Sequence, residues 1–269
     1  MKKTWNIIAV TRDERFSPHS VGKDRAILKA VVDHLPAAAS VRFVSECDLC
    51  ENDEADTYVS MARGERALRV LGQKERQGRQ VVNSARGVAG CQRSCLDAFM
   101  RAHAVPMPPL QGSDGYWLKR GDASAQTRED VCFCPDEAAL EQAKEAFSRR
   151  GVTDWVVSTH VVGDLVKFYA VGDTFFRYYY PTDDGISKFG DEAQNGAAHH
   201  YAFDAEALRK DASRLAGLIN VDVYGGDAIV DSRGRYYIID FNDWPSFSRC
   251  CDEAAEAIAN DIIKNHANF

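Results

Sequence analysis

The sequence predicts an α/β chain: a small parallel α/β unit at the N-terminus, then two α+β segments. Three observations predict it. Residues 1–88 alternate strand-like and helix-like runs, the pattern of a parallel sheet. RGVAG, Arg86 to Gly90, then breaks that rhythm with a glycine at each end. Beyond it, strands follow in quick succession, with acid-led, glycine-stopped helices between them.

Composition sets the frame for those elements. The chain has 269 residues, 45% hydrophobic and 27% charged, as an ordinary globular protein does. Its net charge of -7 and pI near 5.5 exclude a broadly basic face for nucleic acid or an anionic membrane. Any anionic ligand must be met by a local cluster. No run approaches the ~20 apolar residues of a membrane span, and MKKTWNIIAV reads as a first strand, so a cytoplasmic protein is expected. Eight cysteines lie in local pairs, of which Cys47/Cys50 and Cys91/Cys95 have a spacing compatible with zinc. Their segments differ in kind, a loop and a helix start, so reduced thiols are expected instead.

In order along the chain, WNIIAV is a strand, TRDERFSPHSVGKD a polar loop, and Arg25 to Leu35 a helix that stops at Pro36. VRFVSE is the next strand, Tyr58 to Leu71 a helix, and QVVNS a third short strand. Cys91 to about Ala104 is helical and ends before PMPP. YWLKRGD is a strand, and Asp136 to Gly151 is the clearest helix, with acids first, arginines last and a glycine stop. DWVVSTHV, LVKFYAVG and TFFRYYY are strands. The polar run 181–200 has the length of a functional lid, and helices from about Asp204 and Asp252 flank the hairpin VDVYGGDAIVDSRGRYYIIDFND.

That hairpin carries the chemistry. Alternation in YYIIDFND places Asp240 and Asn242 on one face, α-carbons about 6.6 Å apart, within reach of one hard cation. The preceding strand carries Asp227. A two-residue loop, Arg233 and Gly234, pairs Asp227 with Asp240, and a four-residue loop leaves it diagonal on the same face. A three-residue loop with a glycine bulge turns Asp227 away. Convergence of the acids therefore requires an even-length loop. By the same logic a Gly172-Asp173 turn puts Lys167 and Arg177 on opposite strand faces. Arg12, Arg15 and His19 follow the first strand, where open α/β sheets bind ligands.

Asp227, then Asp240 and Asn242 with Pro245 following, resemble the final hairpin of the ATP-grasp superfamily, in its RimK-like ligase and inositol phosphate kinase-like branches. The resemblance runs from about Val81 to Pro245 and implies two α+β subdomains gripping ATP. Their bounds would be 89–160 for the lid and 161–269 for the metal-bearing part, after an accessory domain at 1–88. It implies magnesium, with manganese able to substitute, held by Asp227, Asp240 and Asn242. It implies ATP contacts from Lys119 in YWLKRGD, Arg93 in the entry helix, the hinge Ser158, Thr159, His160 and Val161, and Lys167. Arg177 and Lys188 are the catalytic, substrate-side expectations. The chemistry is coherent, because a nucleotide of nearly four negative charges needs magnesium, cations on its phosphates and an apolar slot for its base.

Two reactions of that superfamily come into question, each on a small-molecule substrate: carboxylate–amine or –thiol ligation through an acylphosphate, and phosphorylation of a hydroxyl. A nucleotide-binding protein without catalysis is a third reading. Leu165 and Lys167 resemble the kinase pattern, yet Gln126 stands near the position of that branch's histidine, and Ser246 follows Pro245 where both branches place glycine. The ligase reading leads.

Overall fold

A computed structural model describes residues 4–122, 127–184 and 196–266. The N-terminal unit is a four-stranded sheet, β2-β1-β3-β4, from β1 (Asn6–Thr11), β2 (Ser40–Ser45), β3 (Thr57–Ser60) and β4 (Gln80–Val82), with every pair parallel. Alternate residues of β1 feed opposite faces. Ile7 and Ala9 pack with Ile27, Leu28 and Val31 of α1 (Val21–Asp33), while Ile8 and Val10 pack with Ala67, Val70 and Leu71 of α2 (Glu65–Arg76). Burial on both sides is why NIIAV is an unbroken apolar run.

One expectation fails here. TYVS in Tyr58 to Leu71 is strand β3, not helix start, and α2 begins only at Glu65. Four residues are too few to show a period, and the parallel sheet claims them for their β-branched and aromatic side chains. RGVAG lies within a short helix, α3 (Ala85–Gly90), which Ser84 caps by accepting from the Gly87 N–H, and α4 (Arg93–Ala102) follows.

The second sheet is small and antiparallel, β6-β5-β7, from β5 (Tyr116–Arg120), β6 (Val131–Cys134) and β7 (Trp155–Thr159). Strand β6 goes unmarked in the sequence because VCFC is short and cysteine-rich. Leu118 and Cys134 pack on Leu140 and Phe147 of α5 (Glu137–Arg149), so Trp117 and Lys119 project from the opposite face.

The third sheet, β11-β10-β8-β9, is antiparallel throughout, from β8 (Asp164–Val171), β9 (Phe175–Tyr179), β10 (Val223–Val230) and β11 (Tyr236–Asp243). One face packs on α4 and α6 (Ala205–Ile219) through Phe168, Ala170, Tyr224, Ala228, Ile238 and Phe241. The other is divided along its length. Tyr169, Val171 and Val223 pack on Trp244, Phe247 and α7 (Cys251–His266), whereas Leu165, Asp227 and Ile229 line a cleft against the small sheet. Gly226 lets the neighbouring strand approach closely here, since a Cβ on it would lie 2.2 Å from the Asp240 carbonyl oxygen of β11. Among the described residues no helix is long and apolar enough to cross a membrane.

Candidate functional site

The β10–β11 hairpin closes through an odd-length loop. Asp231 N donates to Arg235 O at 2.9 Å and Gly234 N to Asp231 O at 2.9 Å, leaving Ser232, Arg233 and Gly234 as a three-residue turn. Gly234 has φ of 76°, the left-handed position such a turn needs. The expectation of an even-length loop is therefore wrong. From Val230 opposite Tyr236 the ladder runs to Ala228 opposite Ile238, and this phase alone would turn Asp227 away. Ile239 is then an extra residue, a β-bulge, after which Asp227 stands directly opposite Asp240. Two one-residue offsets cancel. Lys119 Nζ donates to the Ile239 carbonyl at 3.0 Å, tying the small sheet to the bulge.

A row of polar groups crosses the cleft face of the large sheet. Asp227 is flanked by Asp240 on β11 and by Lys167 on β8. The Lys167 ammonium holds Asp227 Oδ1 at 2.6 Å, which raises the lysine's pKa against the opposing effect of burial. Asp240 is half-buried at the base of the cleft, and the loss of water there would raise its pKa. Arg93, Lys119, a hydrogen bond with Asn242 and Lys167 outweigh that and hold the carboxyl below its usual range. The same burial lowers the pKa of Lys119, with Asp240 opposing. Arg93 donates through Nη1 to the Arg120 carbonyl at 2.8 Å, at the start of α4.

Opposite this row lies an apolar slot. Trp117, Val131, Val161, Leu165, Ile229 and Ile239 form its walls, and Ser158, Thr159, His160, Lys119 and Asp227 also line it. A smaller hollow containing Arg93, Asp97, Lys119, Ser158 and Asp240 continues from it. Thus Arg93, Lys119, Ser158 to Val161, Asp227 and Asp240 line two adjoining hollows that share Lys119, Ser158 and Ile239, with Lys167 and Asn242 bonded to their acids.

Arg177 does not join them. The β8–β9 turn has three residues, with Gly172 at φ of 51° and Val171 opposite Phe175, so Lys167 and Arg177 share a face, contrary to the two-residue turn expected. Even so, the Arg177 guanidinium is exposed, binds Glu253 of α7 at 2.7 Å and lies over Phe175. Lys188 and Gln126 fall outside the described residues. His199 N and Tyr201 N donate to the buried carboxylate of Asp164 at 2.7 and 2.8 Å, and His200 faces Asp183. All eight cysteines are free thiols, and no three His, Cys, Asp or Glu side chains among the described residues form a metal cage.

No protein-family model matches the chain, and no curated protein is similar to it in sequence. Solved structures are similar in shape. D-alanyl-alanine synthetase A from Vibrio cholerae superposes with a TM-score of 0.70 at 12% identity, covering 99% of this chain and 99% of that one. The RimK domain ATP-grasp protein from Sphaerobacter thermophilus gives 0.64 at 16% identity, over 96% and 99%. The ATP-grasp ligase PsnB, solved with Mg and ADP, gives 0.63 at 13% identity, over 98% and 99%. The chain has the ATP-grasp fold.

Within that ATP-grasp frame the hard oxygens of Asp227, Asp240 and Asn242 suit magnesium, which takes a few protein ligands and shares the rest with phosphates and water. Beside them is a second charged cluster. Arg12 and Arg63 converge on buried Asp243 at 3.5 and 2.8 Å, and Arg12 also reaches Asp24 at 3.3 Å and the Trp244 carbonyl at 3.1 Å. Burial and Arg63 lower the Arg12 pKa, whereas the Asp243 contact raises that of Arg63 despite burial. Arg12 was marked by its place after β1. Arg63 follows β3, and reading that strand as helix hid the one available signal.

Proposed function

We propose that this chain is an ATP- and magnesium-dependent ligase that activates a small-molecule carboxylate as an acylphosphate and passes the acyl group to an amine or thiol. The observation that carries this reading is the row Asn242, Asp240, Asp227 and Lys167, facing Lys119 across a slot lined by Ser158 to Val161. Asp227, Asp240 and Asn242 would hold magnesium. Once bound, the metal would neutralise the charge that develops on the transferring phosphoryl group. Lys119 and Arg93 orient the phosphates, and the apolar walls seat the base. The ligases of similar shape support this class of reaction.

A kinase acting on a polyanionic alcohol is the second reading, favoured by Leu165 and Lys167 after the hinge. Against it stands the charge beside Asn242. Arg12 and Arg63 are matched there by Asp24 and Asp243, so no cationic surplus awaits a second polyanion. The two readings part on product. With ATP, magnesium and a panel of acids, hydroxylamine traps an acylphosphate as a hydroxamate, and hydroxamate formation is the expected result. A phosphomonoester in phosphorus NMR, with no hydroxamate, would overturn the ligase in favour of the kinase.

A further inference from the structure

Three cations, Arg93, Lys119 and Lys167, surround two carboxylates, Asp227 and Asp240, while a third, Asp97, is paired with Arg101 at 2.9 Å, and the three cations are held in different ways. Arg93 donates to the Arg120 carbonyl and Lys119 to the Ile239 carbonyl, so the backbone fixes both. Lys167 instead grips a carboxylate directly, 2.6 Å from Asp227 Oδ1. The two residues are opposite each other on adjacent strands and face the cleft, so the pair is built into the ladder. Asp240 and Asn242 meanwhile hydrogen-bond each other.

We propose that Lys167 is a placeholder cation, occupying Asp227 in competition with the divalent metal and yielding it when nucleotide phosphates enter. This rests on the ATP-grasp reading of the cleft and extends it to the order of binding. A divalent ion arriving alone would add two positive charges to a face where cations already outnumber carboxylates, and would strand the Lys167 ammonium without an anion. A nucleotide brings the missing negative charge. Its phosphates accept the ammonium on its flexible four-carbon stem, and the freed Asp227 oxygen turns to the metal that travels with them. The metal site is thus completed by the nucleotide, and metal alone binds poorly.

Manganese titration of the full-length chain, read as free Mn2+ by electron paramagnetic resonance, tests this without turnover. Without nucleotide, Lys167→Met binds manganese about tenfold more tightly than the native protein, and adding Asp227→Asn to it restores the native weakness. With ADP, the native protein gains about tenfold and Lys167→Met gains much less. Lys167→Gln, with its neutral amide, serves as the second variant and behaves as Lys167→Met does. If neither variant binds manganese more tightly than native without nucleotide, Lys167 is no placeholder and the proposal falls. If both do but ADP tightens nothing in the native protein, the hand-over falls while competition for Asp227 stands, and the nucleotide reading is judged separately by the thermal shift with ATP and magnesium.

Discussion

Strand β11 ends between two charged clusters of opposite design. On the cleft side Arg93, Lys119 and Lys167 outnumber Asp227 and Asp240, Asp97 being paired with Arg101, and Lys119 lines an open slot. At the strand's end Arg12 and Arg63 are balanced by Asp24 and Asp243, and Asp243 is only 2% exposed. Both contain perturbed, buried groups, so burial alone does not separate a binding site from a clamp. Balance does. A matched buried cluster has spent its charge on the fold, whereas a face with surplus charge beside space has charge left for a ligand.

The largest test of that contrast is on the clamp. Asp243→Ala removes the carboxylate that both arginines share and should cost about 3–5 kcal/mol in urea unfolding. If the loss is under about 1 kcal/mol, the cluster is not a clamp. On the cleft side, ATP with magnesium at a hundredfold excess over Kd should stabilise the native chain by about 2.7 kcal/mol. Asp240→Asn should abolish that shift and also lower the ligand-free melting temperature, because the lost carboxylate offsets Arg93, Lys119 and Lys167. A full nucleotide shift in the variant would remove Asp240 from the site.

Asp261 on α7, away from both clusters, supplies a control for burial without function. Burial, then Asp222, lifts its pKa to about 6. A raised carboxyl pKa means the fold prefers the neutral form, so stability is lost as pH rises from about 4 through about 6. Asp261→Asn should therefore stabilise the protein by about 1–2 kcal/mol at pH 8, discounted for partial solvent screening, and do nothing at pH 3.5. An equal gain at both pH values would refute the titration. The smallest effect is expected at Arg177, whose exposed pair with Glu253 should contribute under about 1 kcal/mol. Arg177→Ala should keep the nucleotide-induced thermal shift, and its loss would bring that guanidinium into the cleft.

The long or strongly patterned elements were legible: NIIAV, the helix from Asp136, and the hairpin with its acids. Each carries its own evidence, whether a two-sided apolar run, capping residues or alternation. The short strands β3 and β6 were not, because four residues do not display a period and only pairing with a neighbour makes them strands. The β8–β9 turn is one residue longer than the sequence suggests, and the β10–β11 loop length stays open in the sequence, for a related reason. Gly-Asp and Arg-Gly both suit tight turns, and the glycine's positive φ was placed correctly while the residue count was not.

Strand alternation alone put Asp240 and Asn242 on one face, because side chains two apart on a strand must share it. Whether Asp227 meets them is a different kind of question. It depends on an odd turn at Gly234 and a bulge at Ile239, two irregularities in separate places that cancel only when the strands pair. The bulge in turn is bonded by Lys119 from another sheet. Local alternation is a property of the chain, and register is a property of its contacts, so the acids were readable in the sequence and their meeting was decided by the tertiary structure.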